Sequence, residues 1–224
     1  LDNGFEVVTR EKDTVRLGHG GGDMKQLSVE AMDRGIAALT RMARIASSHG
    51  ATVRAVATSA VREAQNADEF IERASREAGI DIEVISGLEE ARLIHLGVLQ
   101  AVPVFDKRLI LADIGGGSTE VLVGQRGETL GARSFKLGAV RLTDRFFPEG
   151  NVTPRSVHDC SSYVRSILAT FEREVDELGF DIAIASSGTA ETVAHMIHAA
   201  RGDAARRTFN LFEFSTTELD SIVD

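Results

Sequence analysis

The sequence predicts an α/β protein. Three observations carry that prediction. Short apolar runs rich in β-branched residues end in turns of small residues. Each such turn leads into a segment with the apolar spacing of a helix. The order strand, small-residue turn, helix then recurs in both halves of the chain. With 224 residues, 43% apolar and 26% charged, the chain has ordinary globular composition and room for one large domain or two modest ones. No low-complexity segment interrupts the pattern.

In chain order, FEVVTREKDTVRL (5–17) alternates loosely and reads as one or two strands, and HGGGD (19–23) as a loop. From Ser28 to about Ser48 apolar residues recur at helical spacing (Met32, Ile36, Leu39, Met42, Ile45), with Gly50 as the stop. TVRAVATSA (52–60) reads as a strand running into a small-residue turn. Asn66 with Glu69 has the spacing of a capping box for a helix that ends near Gly79. IDIEVIS (80–86) is a strand, and Ser86 with Glu89 opens a helix through Leu99. RLILADI and TEVLVG pair as adjacent strands, with QRGET as a hairpin turn into LGARSFKLG. A helix follows from Ala139 to Phe147. Thr153 and Pro154 supply an N-cap with proline in the first helical position, opening a long amphipathic helix to Gly179. DIAIASSGT (181–189) is a strand with another small polar turn, and a helix starts near Ala190. The tail past Arg201 is charged and less regular. A domain boundary is expected near residues 101–108.

Three turns carry the candidate chemistry: ATSA (57–60), DIGGGST (113–119) and SSGT (186–189). Glycine at a strand end lets backbone N–H groups approach a ligand unobstructed, and phosphate oxygens are the usual guests. One such turn alone is more often a simple connection. Three in one chain, each with hydroxyls, favour phosphate binding. Asp113 ends an apolar strand, where an unpaired carboxylate is costly to bury. A bound Mg²⁺ would offset the cost, with Glu120 as a second ligand; the plainer readings are a solvated turn aspartate and an outward-facing strand glutamate. Glu89 and Glu90 open a helix, where either simply favours the positive end or orients a water for attack on phosphorus. Arg62, just past a turn, suits bidentate phosphate contact or a surface pair with Glu63 or Glu69. His95 and His198 lie among apolar helical residues and read as structural, and Cys160 as inert.

The net charge of −9 argues against a broad nucleic-acid surface but does not exclude a polyanionic ligand. No apolar run has the length of a membrane span, and no N-terminal signal is visible. The single cysteine excludes a disulfide framework, so the cytoplasm is the expected compartment. The start at Leu1, without Met, suggests that the natural N-terminus is absent.

VATSAVREAQN (56–66), VISGLEEARLIHLGV (84–98), LADIGGGSTEVLVG (111–124), KLGAVRLTDRFF (136–147) and ASSGTAETVA (185–194) together resemble the exopolyphosphatase / guanosine pentaphosphate phosphohydrolase (Ppx/GppA) family, in its order and spacing. The resemblance implies two ribonuclease-H-like lobes of the actin-like ATPase superfamily, 1–104 and 105–224, with a cleft between them. It implies hydrolysis of terminal phosphoanhydride bonds, with Mg²⁺ as cofactor. The substrate would be inorganic polyphosphate, with guanosine pentaphosphate as a further candidate. By motif position Glu90 matches the water-activating glutamate and Arg62 a phosphate-contacting arginine. Asp113, Gly115 and Glu120 match active-centre residues, with Asp113 and Glu120 as the metal ligands. Thr58, Ser59, Gly116, Gly117 and Ser118 would bind phosphate, as would Ser187, Gly188 and Thr189 in the second-lobe turn. The family tends to form homodimers.

The sequence also departs from the family. Members open with a strand and a DxGSNS-like phosphate turn just before a segment like FEVVTREK. That turn is absent here, which implies lobes incomplete at the chain ends and a fragment short of one phosphate grip. The added helical domain of longer members is not visible either. Two competing readings are a low-turnover sensor of polyphosphate or guanosine tetraphosphate, and a kinase or ATPase of the same superfamily. The carboxylates argue against the sensor, since a pure binder has no need of groups that repel its ligand. SGLEEAR and the lack of an evident adenosine pocket argue against the kinase. Arg16, Lys25, Arg133, Lys136 and Arg141 are candidates for a polyanion path.

Overall fold

The computed structural model describes residues 7–19, 23, 25–206 and 208–222. It divides by contact into Leu1–Val84 and Ile85–Asp224. The division falls ahead of the LEEARLIHLGV helix, not after it at 104/105, because that helix packs on the sheet of the second unit.

In the first unit, helix α1 (Val29–Ser48) begins where Ser28 accepts a hydrogen bond from the Ala31 amide. Its buried face includes Met32 and Ile36, which pack with Val61, Phe70 and Ala74. Burial of each large side chain contributes about 1.5–3 kcal/mol. Gly35 lies under the Phe70 ring, and a Cβ there would sit 2.8 Å from it. Strands β1 (Ala55–Ala57) and β2 (Ile82–Val84) pair in parallel. Between them lie α2 (Ser59–Arg62) and α3 (Ala67–Arg73), the latter ending in a π-helical turn at Ala74–Ala78 that Gly79 terminates with φ +66°.

Two expectations fail in this unit. Residues 7–17 form no strand, because a strand needs a neighbour's amides and carbonyls and among the described residues β1 pairs only with β2. Residues 5, 6 and 20–22 lie outside the described residues. Asn66 makes no capping hydrogen bond. Its amide instead bridges to Leu27, accepting from Leu27 N and donating to Leu27 O, both at 2.9 Å. A long-range partner has displaced the local one.

The second unit is built on a mixed four-stranded sheet in the order β5-β4-β3-β6. Strands β3 (Leu109–Ile114), β4 (Thr119–Gln125) and β5 (Glu128–Phe135) run antiparallel in succession, and β6 (Ile182–Ser186) lies parallel to β3. Arg126 and Gly127, at φ +53° and +84°, form the two-residue hairpin turn between β4 and β5, with the positive φ values that match strand twist. One group of buried side chains joins Leu109, Leu111 and Leu122 to Ala91 and Val98 of α4 (Gly87–Ala101). A second joins Phe135 and Leu137 to Phe171 of α6 (Pro154–Leu178), with Val121 and Leu142 of α5 (Ala139–Phe146) against it. Alternation along β4 sends Leu122 to the first group and Val121 to the second. Thr153 and Ser156 cap α6 reciprocally, with Pro154 at its first position.

Helix α7 spans Ser187–Arg201, so it begins three residues before Ala190 and draws the SSGT turn into its first turn. The tail is more ordered than its charge implies. Phe209 and Phe212 stack edge-on against His198, and Arg201 pairs with Glu218 of α8 (Thr216–Asp220). Among the described residues no helix is long and apolar enough to cross a membrane.

His95 is fully buried on α4, and neither ring nitrogen has a hydrogen-bond partner. Gly124 makes room for it: a Cβ there would lie 2.5 Å from the imidazole. Burial depresses the His95 pKa below its ordinary 6.5. The unfolded chain therefore takes up a proton near pH 6.5 that the folded chain refuses, so the His95 contribution is intact above that pH and lost as pH falls towards the folded pKa. His95→Leu, of similar volume and without polar atoms, is expected to flatten the fall in stability between about pH 7 and 5 and to hold or raise Tm at neutral pH. Thermal unfolding of both proteins across that range is the check; parallel curves would contradict it.

Candidate functional site

The C-terminal ends of the parallel strands β3 and β6 lie side by side, with Asp113 paired to Ser186. Ligands of open α/β sheets gather at such an edge. On the other side of Asp113, β4 places Glu120 directly opposite it. Beyond Glu120, β5 places Ser134. One row of the sheet thus reads Ser134, Glu120, Asp113, Ser186.

The two carboxylates are held from outside. Ser134 Oγ donates to Glu120 Oε1 at 2.7 Å, and Ser186 Oγ donates to Asp113 Oδ2. Glu120 is 2% exposed, and its Oε2 has no hydrogen-bond partner. Burial pushes the Glu120 carboxyl above the usual carboxylate range; the hydroxyls of Ser134 and Ser118 oppose this, and the nearby charges of Glu90 and Asp113 reinforce it. Burial also raises Asp113, against the pull of the Ser186 hydroxyl. A low-dielectric pair of like charges wants a cation or a shared proton.

Glu89 and Glu90, equivalent in sequence, differ in the structure. Glu89 caps and pairs: its amide donates to Ser86 Oγ at 3.1 Å, and its carboxylate takes Arg92 Nε and a terminal guanidinium nitrogen at 2.8 and 2.7 Å. The Arg92 bonds hold its pKa down. Glu90, half-buried, is the one whose charge reaches Glu120.

The turn between β3 and β4 is seated on the start of α5. The Gly115 carbonyl accepts from the Ala139 amide at 2.8 Å, and that of Gly116 from Val140 and Arg141 at 2.9 and 3.1 Å. The Gly117 carbonyl accepts from Arg141 Nε at 2.8 Å. A trans peptide is planar, with C=O and N–H on opposite edges. The amides that share these three planes belong to Gly116, Gly117 and Ser118. They therefore point away from α5, and none of them donates to a backbone carbonyl among the described residues. Consecutive backbone amides directed away from the helix are the kind of donor set that binds anions. Gly138 permits the seat: a Cβ on it would lie 2.2 Å from the Gly116 carbonyl oxygen.

On the β6 side, Ser187 has φ +77°, a left-handed conformation uncommon for a side-chain-bearing residue, as α7 opens through Gly188 and Thr189. Thr58, Ser59 and Arg62 belong to the first unit, where Ser59 Oγ donates to Glu63 Oε1 at 2.8 Å. Arg141 is 5% exposed beneath the glycine turn, so it lines no surface path. Arg133 is taken up by Glu174 at 2.7 Å. Sequence reasoning missed Ser134 and Gly138, and singled out Ser186 only as part of the SSGT turn, without its partner Asp113. The strand pairing 120↔134 was the signal available for Ser134, but only with the register in hand.

Hard carboxylate oxygens, one of them buried without a partner, suit Mg²⁺. Among the described residues no three His, Cys, Asp or Glu side chains gather to hold a metal unaided. Two carboxylates completed by substrate phosphate is the usual arrangement for Mg²⁺.

Residues 1–220 match the Ppx/GppA phosphatase family. An exopolyphosphatase from Cytophaga hutchinsonii is 36% identical, with TM-score 0.82 over 89% of this chain and 64% of that one. An exopolyphosphatase-like protein is 32% identical, with TM-score 0.79 over 88% and 62%. A Ppx/GppA family member from Aquifex aeolicus is 26% identical, with TM-score 0.61 over 91% and 61%. The chain spans a little under two thirds of the length of these proteins.

Gly138→Ala drives a methyl into the Gly116 backbone, which no rotamer change relieves. The expected result is weaker binding of tripolyphosphate by about tenfold or more, since small displacements of a binding group are costly. Calorimetric titration reads it, and an unchanged Kd would separate the turn from anion binding.

Proposed function

The chain belongs to the Ppx/GppA phosphatase family, and from that premise we propose that it hydrolyses terminal phosphoanhydride bonds, releasing orthophosphate from inorganic polyphosphate. Guanosine pentaphosphate, which presents the same terminal group, is a second substrate in this reading. The observation that carries the proposal is the run of Gly116, Gly117 and Ser118 amides directed away from α5, next to the Asp113–Glu120 pair. The likeness to exopolyphosphatase structures supports the substrate. The mixed sheet, three antiparallel strands with a parallel fourth, supports a ribonuclease-H-like lobe of the actin-like ATPase superfamily.

In the proposed mechanism the terminal phosphate lies on the glycine turn. The three amides bind its oxygens in place of water. Their positions are set before substrate arrives, because α5 holds the carbonyls behind them, so little reorganisation is left for the transition state. Glu90 accepts a proton from the attacking water. The water oxygen bonds to the terminal phosphorus as the bond to the bridging oxygen breaks, and the shortened chain leaves with that oxygen. Asp113 and Glu120 would hold Mg²⁺, which supplies charge neutralisation for the phosphate oxygens when bound. In the same reading the amides at the start of α7 and the hydroxyls of Ser187 and Thr189 bind phosphates further along the chain.

Glu90→Gln keeps the size of the side chain and removes the base. It is expected to lower orthophosphate release from long-chain polyphosphate by about 10²–10⁴-fold while leaving polyphosphate binding within a few-fold of wild type. Release is to be measured with Mg²⁺ from polyphosphate, guanosine pentaphosphate and ATP in parallel. Undiminished turnover in the variant would remove Glu90 from the mechanism. Binding without release from any of the three by the unaltered chain would make it a sensor.

A further inference from the structure

The Ser134–Glu120–Asp113–Ser186 row contains a choice that helix stability does not explain. Ser186 sits at the N-cap position of α7, with φ −132° and ψ 176°. A serine there ordinarily accepts a hydrogen bond from the first turn of its helix. Ser86, Thr153 and Ser215, the caps of α4, α6 and α8, all do so. Ser186 does not. Its hydroxyl turns across the sheet and donates to Asp113 Oδ2. At the other end of the row Ser134 Oγ donates to Glu120 Oε1 at 2.7 Å. Each carboxylate therefore has one oxygen tied by a serine at the end of the row, and the Ser118 hydroxyl also lies close to Glu120. The second oxygen of Glu120, Oε2, is buried and without a hydrogen-bond partner.

A hydroxyl has one proton to give. Given to a carboxylate oxygen, it fixes the torsion of that side chain and favours the ionised form. Both effects prepare the remaining oxygen for a cation, as hydrogen bonds behind ligating groups commonly do. We propose that Ser134 and Ser186 are positioning residues that clamp Glu120 and Asp113 from opposite ends of the row and so set one oxygen of each to hold a divalent cation. The proposal rests on the phosphohydrolase reading and adds two residues to it. Neither serine touches the reacting atoms.

The test uses the whole chain and Mn²⁺ as the probe, titrated calorimetrically without phosphate. The variants are Ser134→Ala, Ser186→Ala, their threonine counterparts, Asp113→Asn and Glu120→Gln, each with its Tm. The alanine variants are expected to raise the Mn²⁺ Kd about tenfold or more, in line with losses at groups that orient metal ligands. Threonine keeps the donor and is expected to return the Kd to within about threefold of wild type, which a loss of packing alone would not produce. If an alanine variant unfolds, Ser→Cys, which keeps the shape and weakens the donor, gives the same reading. Wild-type Mn²⁺ affinity in the serine variants, alongside loss in Asp113→Asn and Glu120→Gln, overturns the clamp and leaves the metal reading standing. Wild-type affinity in the carboxylate variants overturns both.

Discussion

Two carboxylates of like sign stand directly opposite each other on adjacent strands, half or wholly removed from water. Like charges in that position oppose strand pairing, and burial makes each harder to ionise. The sheet cannot slip to relieve them. A one-residue shift would turn Leu111 and Leu122 out of their core, and those residues are 1% exposed. Apolar register therefore holds an electrostatically unfavourable pair in place. Such perturbed pairs gather at functional sites, and in the proposed function a cation with phosphate completes this one. The serines stand at either end of the row, and the charge of Glu90 reaches Glu120.

The glycine turn next to the pair depends on the same economy of hydrogen bonds. Helix α5 has Gly138 at its N-cap and no side-chain cap. Its first amides find their acceptors in the turn carbonyls instead. Helix and turn complete one another, and the orientation of the outward amides follows from the bonds on the inward side. The buried guanidinium of Arg141 adds a fixed positive group beneath the turn, its desolvation offset in part by the Gly117 carbonyl. Membership of the Ppx/GppA phosphatase family fits a site of this kind.

Several of these features were legible in the residues. Ser28, Ser86 and Thr153 cap the helices that their spacing predicts, because a cap bond spans only three residues. The QRGET hairpin follows from a glycine that takes positive φ in the turn. Asn66 misled for the complementary reason. Its side chain is chemically fit to cap, but Leu27, 39 residues away, competes for it and wins. FEVVTREKDTVRL has strand-like alternation, yet alternation supplies no neighbouring strand. The tail misled through its charge, since Phe209, Phe212 and His198 form contacts that charge counting does not register.

Local chemistry was enough to read the α/β class and the starts of α1, α4 and α6, and to single out the three small-residue turns, Asp113, Glu120 and the Glu89/Glu90 pair as candidates. These depend on neighbours within a turn or two, so the order of residues contains them. Which of the two glutamates reaches Glu120, which way the turn amides face, and which hydroxyls hold the carboxylates depend on strand register and on the seat of α5. Those are long-range pairings. They are settled by burying Leu109, Leu111, Leu122 and Phe135 on two faces of one sheet, and that balance exists only once the strands have met.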